Sequence, residues 1–534
     1  MLKSRIIFLI TALIIAILPA GQFSVCADTN AQNVSVKIPN FKVQLNGEMM
    51  NNDYSQYPLI VYNDITYFPM TYHNCRFLGL ETKWAPQKPL EIEKKNVSAA
   101  YYFYGQNKKN KTTYTASISN DFVSINGHNI DKEDVRKYPL LKFRNVRYFP
   151  LTWKYAVDNF GWKYEYTPEK GLVIESDNKR VNSIAKIDNY DDSLSDIVYH
   201  NGYVYYRNKK GDFIMRAPAD NLKQAVKVFK IPINHYTDRP ENPTLEVKDD
   251  GKVHMMFRVG GGFMGRDCEY YFDNNGKPVD ISDDVYVTKL SDDVYVKIDK
   301  QVPPSAGNLS IKTKGDIAYR KIGDPHYCYG WHNSETKKAF ENRHHAFGPN
   351  QVTLFNDSIY IAAYSAHPSE SSAVDSDKLI AIYKINIKTN EIEKIDSPTT
   401  PGFARDGDFI YYIKPDGAYR LSLADDSKSA WDVDYKNFGH TYTVFGGKTY
   451  SKLTTEKEAG GFKEFNIGDS KYLACTFVES NEFGRATKGL VIFDINGHEV
   501  FRTDEIVAIS SMSIENGNLY YYSGTAKCLC KVKL

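Results

Sequence analysis

Beyond residue 27 the sequence has no apolar run long enough to cross a bilayer, which takes about 20 residues. No integral span is therefore expected once the N-terminal segment is removed. Charge of one sign is also missing: 67 Lys and Arg face 65 Asp and Glu. That removes the electrostatic case for nucleic acid or an anionic membrane as partner. The seven cysteines form no C-x-x-C pair and the twelve histidines no H-x-H pair, so neither a structural zinc site nor any other metal is expected. G-x-S-x-G, H-E-x-x-H and the P-loop are absent, which excludes the hydrolase, metalloprotease and nucleotide-binding classes those motifs carry. "GGGFMG" at 260–265 satisfies G-x-G-x-x-G, but the "RDCEYYF" after it reads as a strand. A dinucleotide fingerprint must open a helix, so no cofactor is expected. "DDGK" (249–252) and "DNNG" (273–276) have too few carboxylates for calcium loops and read as β-turns.

What is present begins with "MLKSRIIFLITALIIAILPAGQFSVCADT". Lys3 and Arg5 precede an apolar run from Ile6 to Leu18, and Val25 and Ala27 stand in A-x-A-like positions. This is the pattern of a secretory signal peptide over 1–27. It implies a secreted or extracellular protein, or one associated with the cell wall. Forty tyrosines among 534 residues favour β structure. Cys75, Cys268, Cys328, Cys475, Cys528 and Cys530 remain after cleavage, and their connectivity is open. Cys528 and Cys530 are two apart in a strand-like tail, with Cα atoms about 6.6 Å apart, near the upper limit for a bridge.

The chain repeats itself. "LNG" at 45 returns as "ING" at 125, "YPL" at 57 as "YPL" at 138, and "YFP" at 67 as "YFP" at 148. Gly79 matches Gly161, and Trp84 matches Tyr166. "IVYNDITYFP" predicts a hairpin turning at Asn63-Asp64, and "LLKFRNVRYFP" a hairpin turning around Asn145. Pro69 and Pro150 can each open a short helix. Over 151–160, Leu151, Tyr155, Val157 and Phe160 carry helical spacing, and Gly161 stops the helix. "WKYEY" resumes a strand. Each unit is thus expected to be β-β-α-β, over 34–97 and 115–178, with its aromatics as its core.

The NG turn, hairpin, aromatic-Pro-(Leu/Met) helix opening, glycine and aromatic strand resemble the copper amine oxidase N-terminal-like domain. The resemblance covers residues 34–178. It implies a tandem spacer or adhesion element of secreted and surface proteins of Gram-positive bacteria. Amine oxidase catalysis itself is not expected. The quinone-forming tyrosine lies in T-x-x-N-Y-D/E, and although Asn189, Tyr190 and Asp191 spell "NYD", residue 186 is Lys. "DNYDDS" reads instead as part of a polar linker over 179–194.

Residues 195–534 have their own rhythm. "NGYVYYRNKKGDFIMRAP" (201), "DGDFIYYIKPDGAYRLSL" (406) and "NGNLYYYSGTAKCLCKVKL" (516) are the same two-strand phrase. "DDGKVHMMFRV" (249), "KGDIAYRKI" (314) and "NDSIYIAAY" (356) are looser copies. Entry turns near 202, 251, 315, 357, 407 and 517, with further hairpins between 440 and 480, predict a β-propeller of roughly six to eight blades. The phrase resembles a bacterial propeller family, formerly a domain of unknown function, likened to low-density lipoprotein receptor propellers. The fold class expected is mainly β: two small α+β modules followed by a propeller.

One segment interrupts the rhythm: "DPHYCYGWHNSETKKAFENRHHAFG", 324–348. It carries Tyr327, Tyr329 and Trp331, and His326, His332, His344 and His345. Tyr and Trp supply large contact area at low entropic cost, and histidines add hydrogen bonds or a pH response. Tyr327, Tyr329, Trp331, His332, His344 and His345 are therefore the candidate ligand contacts. The bland alternative is a loop capping one end of the ring. The function expected is non-catalytic binding or adhesion toward an envelope or extracellular glycan or protein, the repeats presenting the propeller. The alternative is a propeller hydrolase or lyase acting on extracellular polysaccharide.

Overall fold

The computed structural model describes residues 32–83, 90–119, 122–189, 193–260, 265–282, 287–299, 308–323, 352–364, 380–397, 403–437, 442–451, 458–481 and 484–534. The protein is mainly β. No helix among these residues is long and apolar enough to cross a membrane.

The N-terminal repeats build one body. The first contributes β1 (Asn33–Lys37), β2 (Val43–Leu45), β3 (Glu48–Met49), β4 (Ile60–Tyr62), β5 (Ile65–Pro69), α1 (Tyr72–Phe77), β6 (Leu80–Lys83) and β7 (Leu90–Lys94). The second contributes β8 (Thr113–Ser119), β9 (Val123–Ile125), β10 (His128–Asn129), α2 (Lys132–Lys137), β11 (Leu140–Phe143), β12 (Val146–Pro150), β13 (Lys163–Thr167) and β14 (Gly171–Glu175). Both hairpin turns have left-handed central pairs, Asn63-Asp64 and Arg144-Asn145. That geometry matches strand twist in a two-residue turn. Gly79 and Gly161 follow the helical turns at φ +74° and +67°, the conformation glycine adopts without a Cβ clash. The helical turn of the second repeat, Lys154–Asn159, is a π-turn, whereas α1 is α-helical and capped by the Thr71 hydroxyl.

The repeats are not two modules on a string. Strands β1-β4-β5-β12-β11-β8 close a single barrel. The two YFP motifs pair with each other, Phe68 opposite Phe149, with Pro69 facing Tyr148 and Tyr67 facing Pro150. Val36, Ile60, Tyr67, Ala116, Leu141, Phe143 and Tyr148 pack together as one core cluster. Each NG hairpin crosses over: β2 lies parallel to β14, and β9 parallel to β7. A second core runs through both repeats, from Val43 and Phe68 to Phe160, Trp162 and Ile174. Trp162 donates its indole N–H to the Leu78 carbonyl, 3.2 Å away.

The remaining chain folds as successive antiparallel four-stranded sheets. Sheet 1 is Ile197–His200, Tyr203–Arg207, Phe213–Pro218 and Val226–Lys230. Sheet 2 is Thr244–Val247, Val253–Val259, Arg266–Phe272 and Pro278–Asp280. Sheet 3 is Val287–Lys289, Val294–Asp299, Asn308–Thr313 and Arg320–Ile322. Sheet 4 is Val352–Phe355, Ser358–Tyr364, Ile380–Asn386 and Ile392–Asp396. Sheet 5 is Ala404–Asp406, Phe409–Lys414, Gly417–Ser422 and Lys428–Ala430. A two-stranded hairpin, Thr443–Phe445 with Lys448–Tyr450, follows. Sheet 6 is Glu458–Ile467, Ser470–Asn481, Gly484–Asp494 and Glu499–Thr503. Sheet 7 is Ser513–Glu515, Asn518–Ser523 and Cys528–Lys533, completed by β15 (Val181–Lys186).

Shared cores join sheet 7 to 1, 1 to 2, 3 to 4, 4 to 5, 5 to the hairpin, the hairpin to 6, and 6 to 7. A meander of sheets whose last member is completed by the first strand is propeller-like. It leaves no open seam between the first and last strands of this region.

Two expectations need correction. The stretch 179–194 is not a free linker, because β15 pairs along Cys528–Lys533 and Asn189 is buried. In β15 Val181 is buried while Asn182, Ser183 and Lys186 are exposed, as fits an outer strand. The turn near 315 is not an entry turn: it joins the third and fourth strands of sheet 3, and Ile317 is almost fully exposed. The glycine-rich 260–265 connects two antiparallel strands, Val259 opposite Arg266, as the sequence pattern predicts.

Candidate functional site

Tyr327, Tyr329, Trp331, His332, His344 and His345 lie outside the described residues. The chain that carries them, 323–351, joins the end of sheet 3 to the start of sheet 4. In a four-stranded antiparallel meander, the start of strand one, the end of strand two, the start of strand three and the end of strand four share one end. The long connections fall there: 231–243, 300–307, 323–351 and 365–379. The opposite end has tight turns, such as 201–202, 356–357, 407–408, 468–469 and 516–517.

At the long-connection end of sheet 1 a buried polar cluster is assembled by the Asn201-Gly202 turn. Both turn residues are left-handed, which fixes Ile197 opposite Tyr206. Asp196 and Arg207 are thereby brought together, the Arg207 N–H donating to the Asp196 carbonyl at 3.1 Å. The Asn189 amide donates to Asp196 Oδ1 at 3.3 Å. Asp196 Oδ2 has no hydrogen-bond partner among the described residues. Burial pushes the Asp196 carboxyl up to about 6, against the Asn189 hydrogen bond and the charge of Arg207. Arg207, also buried, donates to the Gly211 carbonyl at 3.0 Å and to Asn242 Oδ1 at 3.0 Å. Glu241 accepts from Asn234 at 3.2 Å and from the Gly260 N–H at 3.4 Å. Most of this cluster ties connections to sheets. Asp196 is the group left able to take or give a proton near neutrality.

Two other polar groups are structural. Lys463 Nζ on the first strand of sheet 6 reaches the Val247 carbonyl on the first strand of sheet 2, at 3.4 Å. Burial lowers its pKa despite nearby Glu246 and Asp249. His254 is held by Glu269 through Nδ1 (2.6 Å) and by both oxygens of Asp250 through Nε2 (3.1 Å). Lys248 donates to the same Glu269 oxygen at 2.7 Å. Burial would raise Glu269, but hydrogen bonds from His254 and Lys248 leave it lowered. Among the described residues no three His, Cys, Asp or Glu side chains converge as metal ligands.

A further surface was missed by the sequence reading. Between the repeats, "AAYYFYG" at 99–105 places Tyr102 and Tyr104 against the first repeat. Tyr102 stacks on His73 with centroids 4.4 Å apart. Tyr104 meets Tyr102 at 4.8 Å and Tyr57 at 5.2 Å. Tyr72 packs edge-on to His73 under the Arg76 guanidinium and stays 47% exposed, with Tyr54 41% exposed. Burial, and then Arg76, lowers the His73 pKa, keeping a neutral ring in an aromatic stack. Four consecutive aromatics at 101–104 were the available signal.

No protein-family profile matches the chain, and no curated protein matches it. Among solved structures it is similar to BamB from Moraxella catarrhalis, at 11% identity and a TM-score of 0.27, over 66% of this chain and 99% of that one. It is similar to TolB from Acinetobacter baumannii, at 11% identity and a TM-score of 0.24, over 66% and 79%. A puromycin-hydrolyzing peptidase of Mycobacterium tuberculosis matches at 7% identity and a TM-score of 0.24, over 53% and 50%. Likenesses this loose carry no argument. The propeller-like architecture rests on the order and closure of the chain's own sheets.

Proposed function

We propose that this is a non-catalytic binding protein, exported and held at the cell envelope or in the extracellular space. In this reading the N-terminal barrel is a pair of copper amine oxidase N-terminal-like units. The ring belongs with the propellers likened to those of the low-density lipoprotein receptor. The barrel sets off a recognition surface on the ring, directed at a glycan or protein. One observation carries the proposal: the long connections, including the Tyr-, Trp- and His-rich 323–351, gather at one end of the sheets. Binding residues concentrate on long loops held by a rigid scaffold. The test is a glycan array together with capture from envelope extracts, using the full chain. Trp331→Ala should weaken the captured interaction by about 2 kcal/mol without moving the thermal unfolding curve. Undiminished capture would reduce 323–351 to a cap.

A hydrolase or lyase reading has a single observation in its favour, the buried Asp196 with its unpartnered oxygen and a carboxyl near 6, a suitable general acid. Release of reducing ends from an extracellular polysaccharide, abolished by Asp196→Asn, would favour that reading over binding.

A further inference from the structure

We propose that Cys528 and Cys530 are a redox pair that closes reversibly as an intrastrand disulfide at the seam of the ring. The two residues are i and i+2 on one strand, so the pleat sends both side chains to the same face. Both are buried, and their sulfurs are 3.5 Å apart. Ser183 Oγ lies 3.4 Å from the Cys528 sulfur. Across from them the register of β15 slips between Ser183 and Ala185. Such a bulge bends and twists the local ladder, at the point where the chain's first ring strand meets its last. The other described cysteines, Cys75, Cys268 and Cys475, sit in three separate cores.

The environment separates the two thiols. The Cys530 hydrogen bond holds Cys528 below the ordinary thiol range, with Ser183 assisting against burial. Burial keeps Cys530 well above it, reinforced by Cys528 and Glu505. Cys528 is therefore the attacking thiolate. Its sulfur bonds to one sulfur of an external disulfide, such as glutathione disulfide, and breaks the S–S bond, releasing one thiolate. Cys530 gives its proton to that thiolate and displaces the second, closing Cys528–Cys530. Two electrons pass to the oxidant, whose two thiolates take up the Cys530 proton and the one that Cys528 had already released to solvent. Only Leu529 lies inside the closed loop, so the bridge removes little chain entropy. With Cα atoms near the upper limit for bridging, it belongs to the readily reduced kind. Because both thiols are buried, exchange requires local opening of this C-terminal strand.

The test uses the full chain, equilibrated in glutathione buffers of graded redox ratio, alkylated and digested with trypsin. Cleavage after Lys527 and Lys531 frees the tetrapeptide Cys-Leu-Cys-Lys. Its disulfide form, lighter by two hydrogens, should grow with the oxidised fraction and vanish with dithiothreitol. Cys530→Ser should carry one glutathione on Cys528, and Cys528→Ser should leave Cys530 unmodified. Repeating the series after unfolding and refolding in the same buffers covers a variant that folds poorly. A tetrapeptide doubly alkylated at every ratio, or either cysteine joined to a third, overturns the pair. Glutathione on Cys530 but never on Cys528 overturns the assignment of the attacking thiol.

Discussion

The barrel and the ring are both made of repeats, and they solve the same problem in opposite ways. In the barrel, two copies exchange strands: each NG hairpin completes the other copy's sheet, and the two YFP motifs pair with each other. In the ring, sheets 1 to 6 each draw four strands from one stretch of chain, sheet 7 borrows β15, and the hairpin at 443–450 stays two-stranded among the described residues. A two-stranded hairpin is marginal alone. The barrel repeats, the longer of the two, split their strands into separate two-stranded hairpins that pair across the copies, whereas the shorter ring copies keep four strands in one meander. The regions meet where the segment between the repeats docks on the ring: Ser98 donates to the Arg502 carbonyl at 2.8 Å and Ala100 to Glu505 at 3.3 Å.

The largest effect should come from dividing the barrel. A fragment of 32–97 is expected to remain unfolded by circular dichroism and amide dispersion, while 32–178 folds cooperatively. A cooperative transition in 32–97 would show that exchange is dispensable.

Next are glycines where backbone or core leaves no room. A Cβ at Gly489, φ +84°, would lie 2.0 Å from the Phe477 ring and 2.6 Å from the Thr503 carbonyl. At Gly171, φ +74°, it would lie 2.0 Å from the Lys42 carbonyl. Gly489→Ala and Gly171→Ala should each cost about 2–4 kcal/mol. In denaturant titrations the first should move the ring transition and the second the barrel transition. A shift of both by either variant would mean the regions unfold as one.

The joint should respond to pH. Glu505 accepts from Ala100 and from the Tyr521 hydroxyl (3.1 Å), and burial pushes its carboxyl up to about 7. The folded state then holds a proton that the unfolded state has released. Stability falls as pH rises from about 4.5 to about 7, and the contribution is complete only below that window. Asp196, raised to about 6, acts with the same sign. Glu505→Gln should flatten the slope and raise stability at pH 8 by on the order of 1–3 kcal/mol. An unchanged pH profile of thermal unfolding would refute the linkage.

The smallest effect is at Gly161. Its φ of +67° penalises any Cβ, but the nearest atom is the mobile end of Lys94, at 2.9 Å. Gly161→Ala should cost about 1 kcal/mol, well below Gly171→Ala in the same barrel. Equal losses would remove the steric distinction.

Local chemistry wrote much of this protein into its sequence. NG and ND turns, the YFP strands, the glycine stops and the repeated two-strand phrase determined where hairpins form, because left-handed turn residues and period-two burial act over a few positions. The first strand pair of sheet 3, Val287–Lys289 with Val294–Asp299, was missed, because "KGDIAYRKI" took its place in the sequence reading. The candidate contacts Trp331 and Tyr329 were legible only as an interruption of that rhythm. Tertiary structure alone decided the partners. Phe68 meets Phe149 and β15 closes on Cys528–Lys533 because a strand's exposed edge has no sequence address for its complement. Buried area and hydrogen bonds across distant segments choose that complement only when the whole chain collapses.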